Sequence, residues 1–200
     1  MSKKLIWMGG VHGVGKSSIL EYLTVNNGHD GFARIPLGTE LATIGQQLGY
    51  AWEELRDPEK MRSVETRATE ELLKRLEKED IVLDAHFCIY LGGQLYPGFS
   101  RTNLVRLASQ VPVRGIIHVI ANPQEVLKRR AASSKQDHHY PTITDSAIAE
   151  RELGESGEYF QRFCDIWSDA SLTGTLDTTQ RTIPDMAQEV IKIYDKLRRN

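Results

Sequence analysis

Gly10-Val11-His12-Gly13-Val14-Gly15-Lys16-Ser17 is the stretch that decides the fold of this chain. It follows the phosphate-loop pattern G-x-x-x-x-G-K-[ST] at every fixed position. Its context fits as well. The apolar run Leu5-Ile6-Trp7-Met8 precedes it and reads as a buried strand. Residues 15–25 follow with Ile19, Leu20 and Leu23 at helical spacing. Glycines let such a loop turn tightly and bring its N–H groups onto phosphate oxygens. The helix behind it turns the positive end of its dipole toward the same anion. Lys16 supplies a point charge near a transferred phosphoryl group, and the Ser17 hydroxyl suits Mg²⁺. Gly10, Val11, His12, Gly13, Val14, Gly15, Lys16, Ser17 and Ser18 are therefore expected to bind ATP, with Mg²⁺ as cofactor. His12 reads as a variable position within the loop.

Working outward, Ile81-Val82-Leu83-Asp84 is an apolar run ending in a carboxylate. Beside a phosphate loop, Asp84 is expected to fix the magnesium shell through water or to orient an acceptor. Phe32 to Ile35 is a weaker strand halted by Pro36, Gly115 to Ala121 a stronger one, and Leu172 to Leu176 a weak last one. Helical spacing recurs in Leu41, Ile44 and Leu48. It returns in Met61, Val64, Ala68, Leu72 and Leu76 behind Asp57-Pro58, a cap and a first-turn proline. A long helical stretch opens at Asp145, within which Gly154 and Gly157 are poor helix formers, and a last helix starts at Pro184. Strands alternating with helices predict an α/β fold, a three-layer arrangement around a five-stranded parallel sheet.

The 200 residues suit one domain, with 40% hydrophobic and 26% charged residues. Lys plus Arg is 25 and Asp plus Glu 27, a formal charge of −2, so nucleic acid is not an expected partner. The N-terminal apolar run is too short for a signal peptide or a membrane span, which predicts a cytoplasmic protein without a membrane partner. Cys88 and Cys164 form no metal-binding pattern and suit a reducing compartment. Self-association is left open.

Other phosphate-loop proteins fit poorly. A guanine-reading N-K-x-D fails at Asn122-Pro123-Gln124-Glu125, and Phe87 stands where D-x-x-G needs glycine. Leu91-Gly92-Gly93-Gln94 echoes a transporter-ATPase signature but follows Asp84 instead of preceding its strand, and reads as a loop. A small kinase remains. It must bind its acceptor in line with the γ-phosphate and exclude water, which calls for cations around an acceptor pocket and a closing lid. Arg56 and Arg62 flank the start of the helix behind Asp57. Lys128, Arg129 and Arg130 lead into an aperiodic stretch at 131–142, the expected lid, which holds Lys135, His138 and His139. Arg forks suit phosphate geometry. Trp7, Trp52 and Trp167 read as packing residues, and His118, alternating into an apolar strand, as a core histidine.

Over nearly its whole length the chain resembles the archaeal-type adenylate kinases, a branch of the P-loop nucleoside monophosphate kinases. Besides the phosphate loop, the matching marks are Leu48-Gly49-Tyr50 and Arg56-Asp57-x-x-x-Met61-Arg62. Further along come Asp84-Ala85-His86, Tyr96-Pro97-Gly98, and Asn122-Pro123 followed by Arg129-Arg130. The resemblance implies transfer of phosphoryl from Mg-ATP to AMP, giving two ADP. It implies a helical acceptor lobe at about 37–78 and a short lid. Lys16, Asp84, Arg129 and Arg130 are then expected to be catalytic, and Ser17 and Asp84 to face the metal. Glu40, Arg56, Arg62, Asp84 and His86 are expected at the acceptor. Two departures stand out: Gly38-Thr39-Glu40 replaces Gly-Asp after the second strand, and residues 131–140 contain no arginine where the family lid is rich in it. A kinase of another small acceptor, a nucleoside or a metabolite hydroxyl, is the alternative, with Asp84 or Glu40 as general base. A nucleotide-binding regulator with little turnover is the other. Backbone groups near Asp177-Thr178-Thr179 are the expected adenine contacts.

Overall fold

The structure of the chain, a computed structural model, describes residues 3–26, 32–91, 94–132 and 146–199. The five apolar runs become five strands of one sheet: β1 (Lys4–Gly9), β2 (Ala33–Pro36), β3 (Ile81–Asp84), β6 (Val113–Ile120) and β7 (Leu172–Asp177). All pair in parallel, in the order β2-β3-β1-β6-β7. Among the described residues seven helices accompany them: α1 (Lys16–Asn26), α2 (Leu37–Gln47), α3 (Pro58–Leu76), α4 (Arg101–Gln110), α5 (Pro123–Ala132), α6 (Ser146–Ile166) and α7 (Ile183–Arg199). A 3₁₀ turn covers Trp52–Arg56.

A parallel sheet must be covered on both faces, so its strands are apolar on both. Alternation divides them. Leu5, Trp7, Ile81, Leu83 and Ile116 face a core completed by α2, α3, α4 and α6. Ile6, Met8, Val82, Ile117 and Val119 face one completed by α1, α5 and α7. In the first core Trp7 is fully buried among Phe99, Phe163 and Trp167, all with ring centroids within 6.1 Å of its own. Trp7 and Trp167 are thus packing residues. His118 is a core histidine, stacked on Phe160 at 4.8 Å with Nε2 3.2 Å from Ser156 Oγ.

Asp57 caps α3 as expected, accepting from the backbone N–H of Glu59 at 2.8 Å and of Lys60 at 3.3 Å. α6 runs unbroken through Gly154 and Gly157 because its apolar face is anchored by Ala149 and Phe163. Two features have no counterpart in the sequence reading. An antiparallel hairpin, β4 (Cys88–Leu91) and β5 (Gln94–Pro97), follows β3, and α4 follows the hairpin. The hairpin strands Cys88–Leu91 and Gln94–Pro97 flank Gly92-Gly93, a stretch that reads as a loop, and α4 buries only Asn103, Leu104 and Leu107.

The register Met8↔Asp84 sets the ends of β1 and β3 side by side. The crevice at the carboxyl ends of a parallel sheet is where such folds bind ligands. Here it holds both the phosphate loop and Asp84.

Candidate active site

The loop between β1 and α1 is shaped by its glycines. A Cβ on Gly10 would stand 2.3 Å from the Val119 carbonyl oxygen, and Gly15 has φ +97°, a region other residues avoid. Side chains take the loop's carbonyls. Arg130 donates to His12 O through Nε at 3.0 Å and Nη2 at 2.8 Å. Val14 O accepts from Arg129 Nη1 at 3.1 Å and Thr178 Oγ1 at 2.8 Å. In a trans peptide the N–H points opposite to the C=O, so pinning these carbonyls turns the N–H groups of Gly13 and Gly15 the other way. That is the arrangement an anion needs.

Lys16 is buried, and its Nζ donates to Gly10 O at 2.8 Å and Val11 O at 3.0 Å. Burial pushes its pKa down to about 8, and the nearby Asp84 offsets only part of this. Ser17 Oγ donates to Asp84 Oδ2 at 2.8 Å, and Arg34 Nη2 donates to the same oxygen at 2.8 Å. Burial alone would raise the Asp84 carboxyl; Lys16, Arg34 and Ser17 outweigh it and hold it below its ordinary value. The Ser17 and Asp84 oxygens are hard donors of the kind Mg²⁺ takes, so the pair fits that ion. Ser18 is exposed one residue further on.

His86 Nδ1 lies 2.7 Å from Gly10 O, and since a carbonyl only accepts, Nδ1 carries the proton there. Burial pushes the His86 pKa down to about 3, so the ring stays neutral. Beyond His86 the chain turns into the hairpin, and Gly98 returns against it. A Cβ on Gly98 would stand 2.1 Å from the His86 carbonyl oxygen. Gly98 also lines a cavity of about 150 Å³ whose walls include Arg56 and Arg62, the buried Glu65, and the apolar Leu41, Leu55 and Met61. Burial raises the Glu65 carboxyl, while the Ser100 N–H at 3.1 Å and Asn103 Nδ2 at 3.3 Å stabilise its charge. Cys88, at the start of β4, is held protonated because burial pushes its thiol up to about 12.

Of the expected residues, the loop, Lys16, Ser17, Asp84 and His86 converge, and Arg129 and Arg130 brace the loop from α5. Arg56 and Arg62 share the cavity. Glu40 is not brought to it; Arg75 on α3 holds its carboxylate at 2.7 Å. Of the expected lid, Ala131 and Ala132 end α5, and Lys135, His138 and His139 lie outside the described residues. The Asp177-Thr178-Thr179 segment abuts the loop through Thr178, which is wholly buried. Sequence reasoning passed over Arg34, Glu65 and Glu152, and named Thr178 for its backbone alone. Two of these left a signal: Arg34 is a charge within a strand, and Glu65 sits in the buried stripe of α3.

No protein-family model matches the chain. Shikimate kinase from Caldanaerobacter subterraneus subsp. tengcongensis is 30% identical to it over 133 residues, 64% of this chain and 68% of that protein. Among solved structures, the shikimate kinase of Acinetobacter baumannii in complex with shikimate superposes with a TM-score of 0.54. The match is 17% identical and covers 96% of this chain and 92% of that one. The YorR protein of Bacillus subtilis in complex with phosphorylated GDP gives a TM-score of 0.57 at 14% identity, covering 98% of both chains. These structural likenesses show the fold, a five-stranded parallel sheet wrapped by helices.

Proposed function

The chain belongs to the shikimate kinase family of P-loop kinases, and we propose on that premise that it phosphorylates a hydroxyl of a small anionic acceptor with ATP. The observation that carries this reading is the cavity that Gly98 lines, Gly98 packing against His86 and His86 in turn meeting the phosphate loop. The cavity's volume of about 150 Å³ is small. Pockets for drug-sized ligands start at roughly 300 Å³. Two arginines and a buried carboxylate on an otherwise apolar wall suit a compact molecule with an acid group at one end and hydroxyls elsewhere. A bulky nucleotide fits that volume less well, so the alternative of a small-acceptor kinase is favoured over AMP as acceptor.

In this reading Lys16 exchanges the carbonyls of Gly10 and Val11 for phosphate oxygens of ATP. Ser17 and Asp84 would hold Mg²⁺. When bound, the ion neutralises charge on the phosphates. Arg129 and Arg130 keep the loop rigid, so little reorganisation is needed at the moment of transfer. Arg56 and Arg62 grip the acceptor's anionic group, and Glu65 accepts from its hydroxyls. His86 links the two halves, touching the loop through its ring and Gly98 through its backbone. Residues 37–78 serve as the acceptor lobe.

An ADP-release assay with Mg-ATP across an acceptor panel tests the proposal. The panel holds shikimate and other hydroxylated carboxylic acids, neutral sugars, nucleosides and AMP. Release that depends on a hydroxylated acid is the expected result. Release with AMP alone overturns it in favour of an adenylate kinase, and ATP binding with no acceptor-dependent release points to a regulator.

A further inference from the structure

Asp84 already has a cation. Arg34 on β2 pairs in register with Val82, and Pro36 with Asp84, so alternation sets Arg34 and Asp84 on the sheet face that α1 covers. Arg34 Nη2 reaches Asp84 Oδ2 at 2.8 Å, the oxygen that Ser17 Oγ also meets at 2.8 Å. The Asp84 side chain is 8% exposed and that of Arg34 23%. Arg34 Nε is buried and finds no hydrogen-bond partner among the described residues. A guanidinium desolvated to this degree is held in place by the carboxylate it faces. The position lies within an otherwise apolar strand, where nothing about packing requires an arginine.

The same corner holds the oxygens that suit a divalent ion. An ion held by Ser17 and Asp84 would share Asp84 Oδ2 with the guanidinium, and two cations on one carboxylate oxygen repel. We propose that Arg34 is a built-in counter-cation that competes with the divalent metal for Asp84, and so sets the metal concentration at which the site fills. This rests on the kinase reading above. A bare ion finds the carboxylate already neutralised. An ion arriving on a nucleotide brings the phosphate charge that tips the balance. Arg34 is therefore a positioning residue, acting through Asp84 without touching the acceptor.

Binding of Mn²⁺, read as free ion by electron paramagnetic resonance with a non-hydrolysable ATP analogue present, tests this without turnover. Arg34→Met removes the charge and keeps an apolar stem, Arg34→Lys keeps the charge, and circular dichroism checks that each variant folds. The Mn²⁺ midpoint should fall at least about fivefold in Arg34→Met, as expected for removing a unit charge beside a divalent ion, and stay within about twofold in Arg34→Lys. In an Asp84→Asn background the Arg34→Met shift should shrink, because the competition for the carboxylate is gone and only direct repulsion is left. An unchanged or weaker midpoint in Arg34→Met overturns the proposal, as does an equal shift in Arg34→Lys. Should Arg34→Met not fold, Arg34→Gln carries the same two readings. Wild-type protein that binds no Mn²⁺ with the nucleotide sinks the kinase reading itself. Normal wild-type binding with an unshifted variant sinks only the role of Arg34.

Discussion

Arg130 Nη2 lies 2.7 Å from Glu152 Oε2, with about nine-tenths of each side chain buried, and the same guanidinium holds the His12 carbonyl. The pair ties α5 to α6 across the back of the phosphate loop. Removing one partner of a buried pair strands the other charge, at a cost of about 3–5 kcal/mol. Glu152→Ala should lower stability by that order and weaken ATP binding, because Arg130 then loses its anchor. Replacing both by apolar residues should recover much of the stability without restoring ATP affinity. Urea unfolding of the two single variants and the double variant measures the coupling.

Arg62 is exposed on α3 and lines the cavity, so its loss should leave the fold intact. A charge-assisted hydrogen bond to an acceptor is worth about 1.5–3 kcal/mol. Arg62→Ala is expected to raise the acceptor KM roughly tenfold to a hundredfold, with the ATP KM moving less than about twofold. Steady-state kinetics with each substrate varied in turn checks the split. Equal rises in both constants would place Arg62 outside the acceptor pocket.

β1, β3 and β6 were legible as apolar runs, β2 and β7 only as weak strands because Arg34 and the threonines of β7 break the run, and the phosphate loop because its chemistry is local in sequence. What stayed hidden is non-local. Thr178 reads as an ordinary polar residue until its hydroxyl is seen on Val14 O, 164 residues away in sequence. Glu152 reads as a solvent-facing helix residue until Arg130 meets it. Glu65 was the nearest miss, since a carboxylate in the stripe Val64, Ala68, Leu72 breaks the apolar pattern and so signals a buried role. The pairing of Glu40 with Arg75 was equally hidden, because its place after the second strand says nothing of a residue 35 positions on.

Gly98 is where the hairpin meets the strand-end segment, and its missing Cβ allows the contact. A methyl group there would stand 2.1 Å from His86 O and 2.8 Å from its carbon, both backbone atoms that cannot swing aside. Gly98→Ala should therefore shift the hairpin wall of the cavity, costing about 1–3 kcal/mol, as overpacking does. Its acceptor KM should rise while ATP binding persists. Gly38→Ala, with nothing within 4 Å, is the matched control and should leave both unchanged. Thermal unfolding and acceptor kinetics read the two effects.

His118 is 6% exposed, and burial pushes its pKa down to about 4 from 6.5. A histidine held neutral in the fold takes up its proton more readily when unfolded. Its stabilising effect is complete above pH 6.5 and is lost as pH falls toward 4. At about 1.4 kcal/mol per pKa unit, the loss is at most about 3–4 kcal/mol. His118→Gln, which retains a donor for Ser156, should unfold with a visibly shallower dependence on acid. Urea midpoints at about pH 7 and pH 4.5, on either side of most of this window, reveal the difference.

Lys16 links pH to nucleotide binding in the opposite direction. Burial pushes its pKa down to about 8 in the nucleotide-free protein, so above that pH the amine is largely neutral. A phosphate chain restores the charged form, because an anion at hydrogen-bond distance offsets the desolvation. Binding above pH 8 must then take up a proton, and ATP affinity falls by up to about tenfold per pH unit until the pKa of the complex is reached. Below pH 8 the dependence flattens. Calorimetry in buffers of different ionisation enthalpy counts the protons directly. The expected uptake rises from near zero at about pH 7 toward one at about pH 9, and Lys16→Met should abolish it along with most of the affinity. Uptake that survives in Lys16→Met would assign the proton to another group and remove Lys16 from the phosphate.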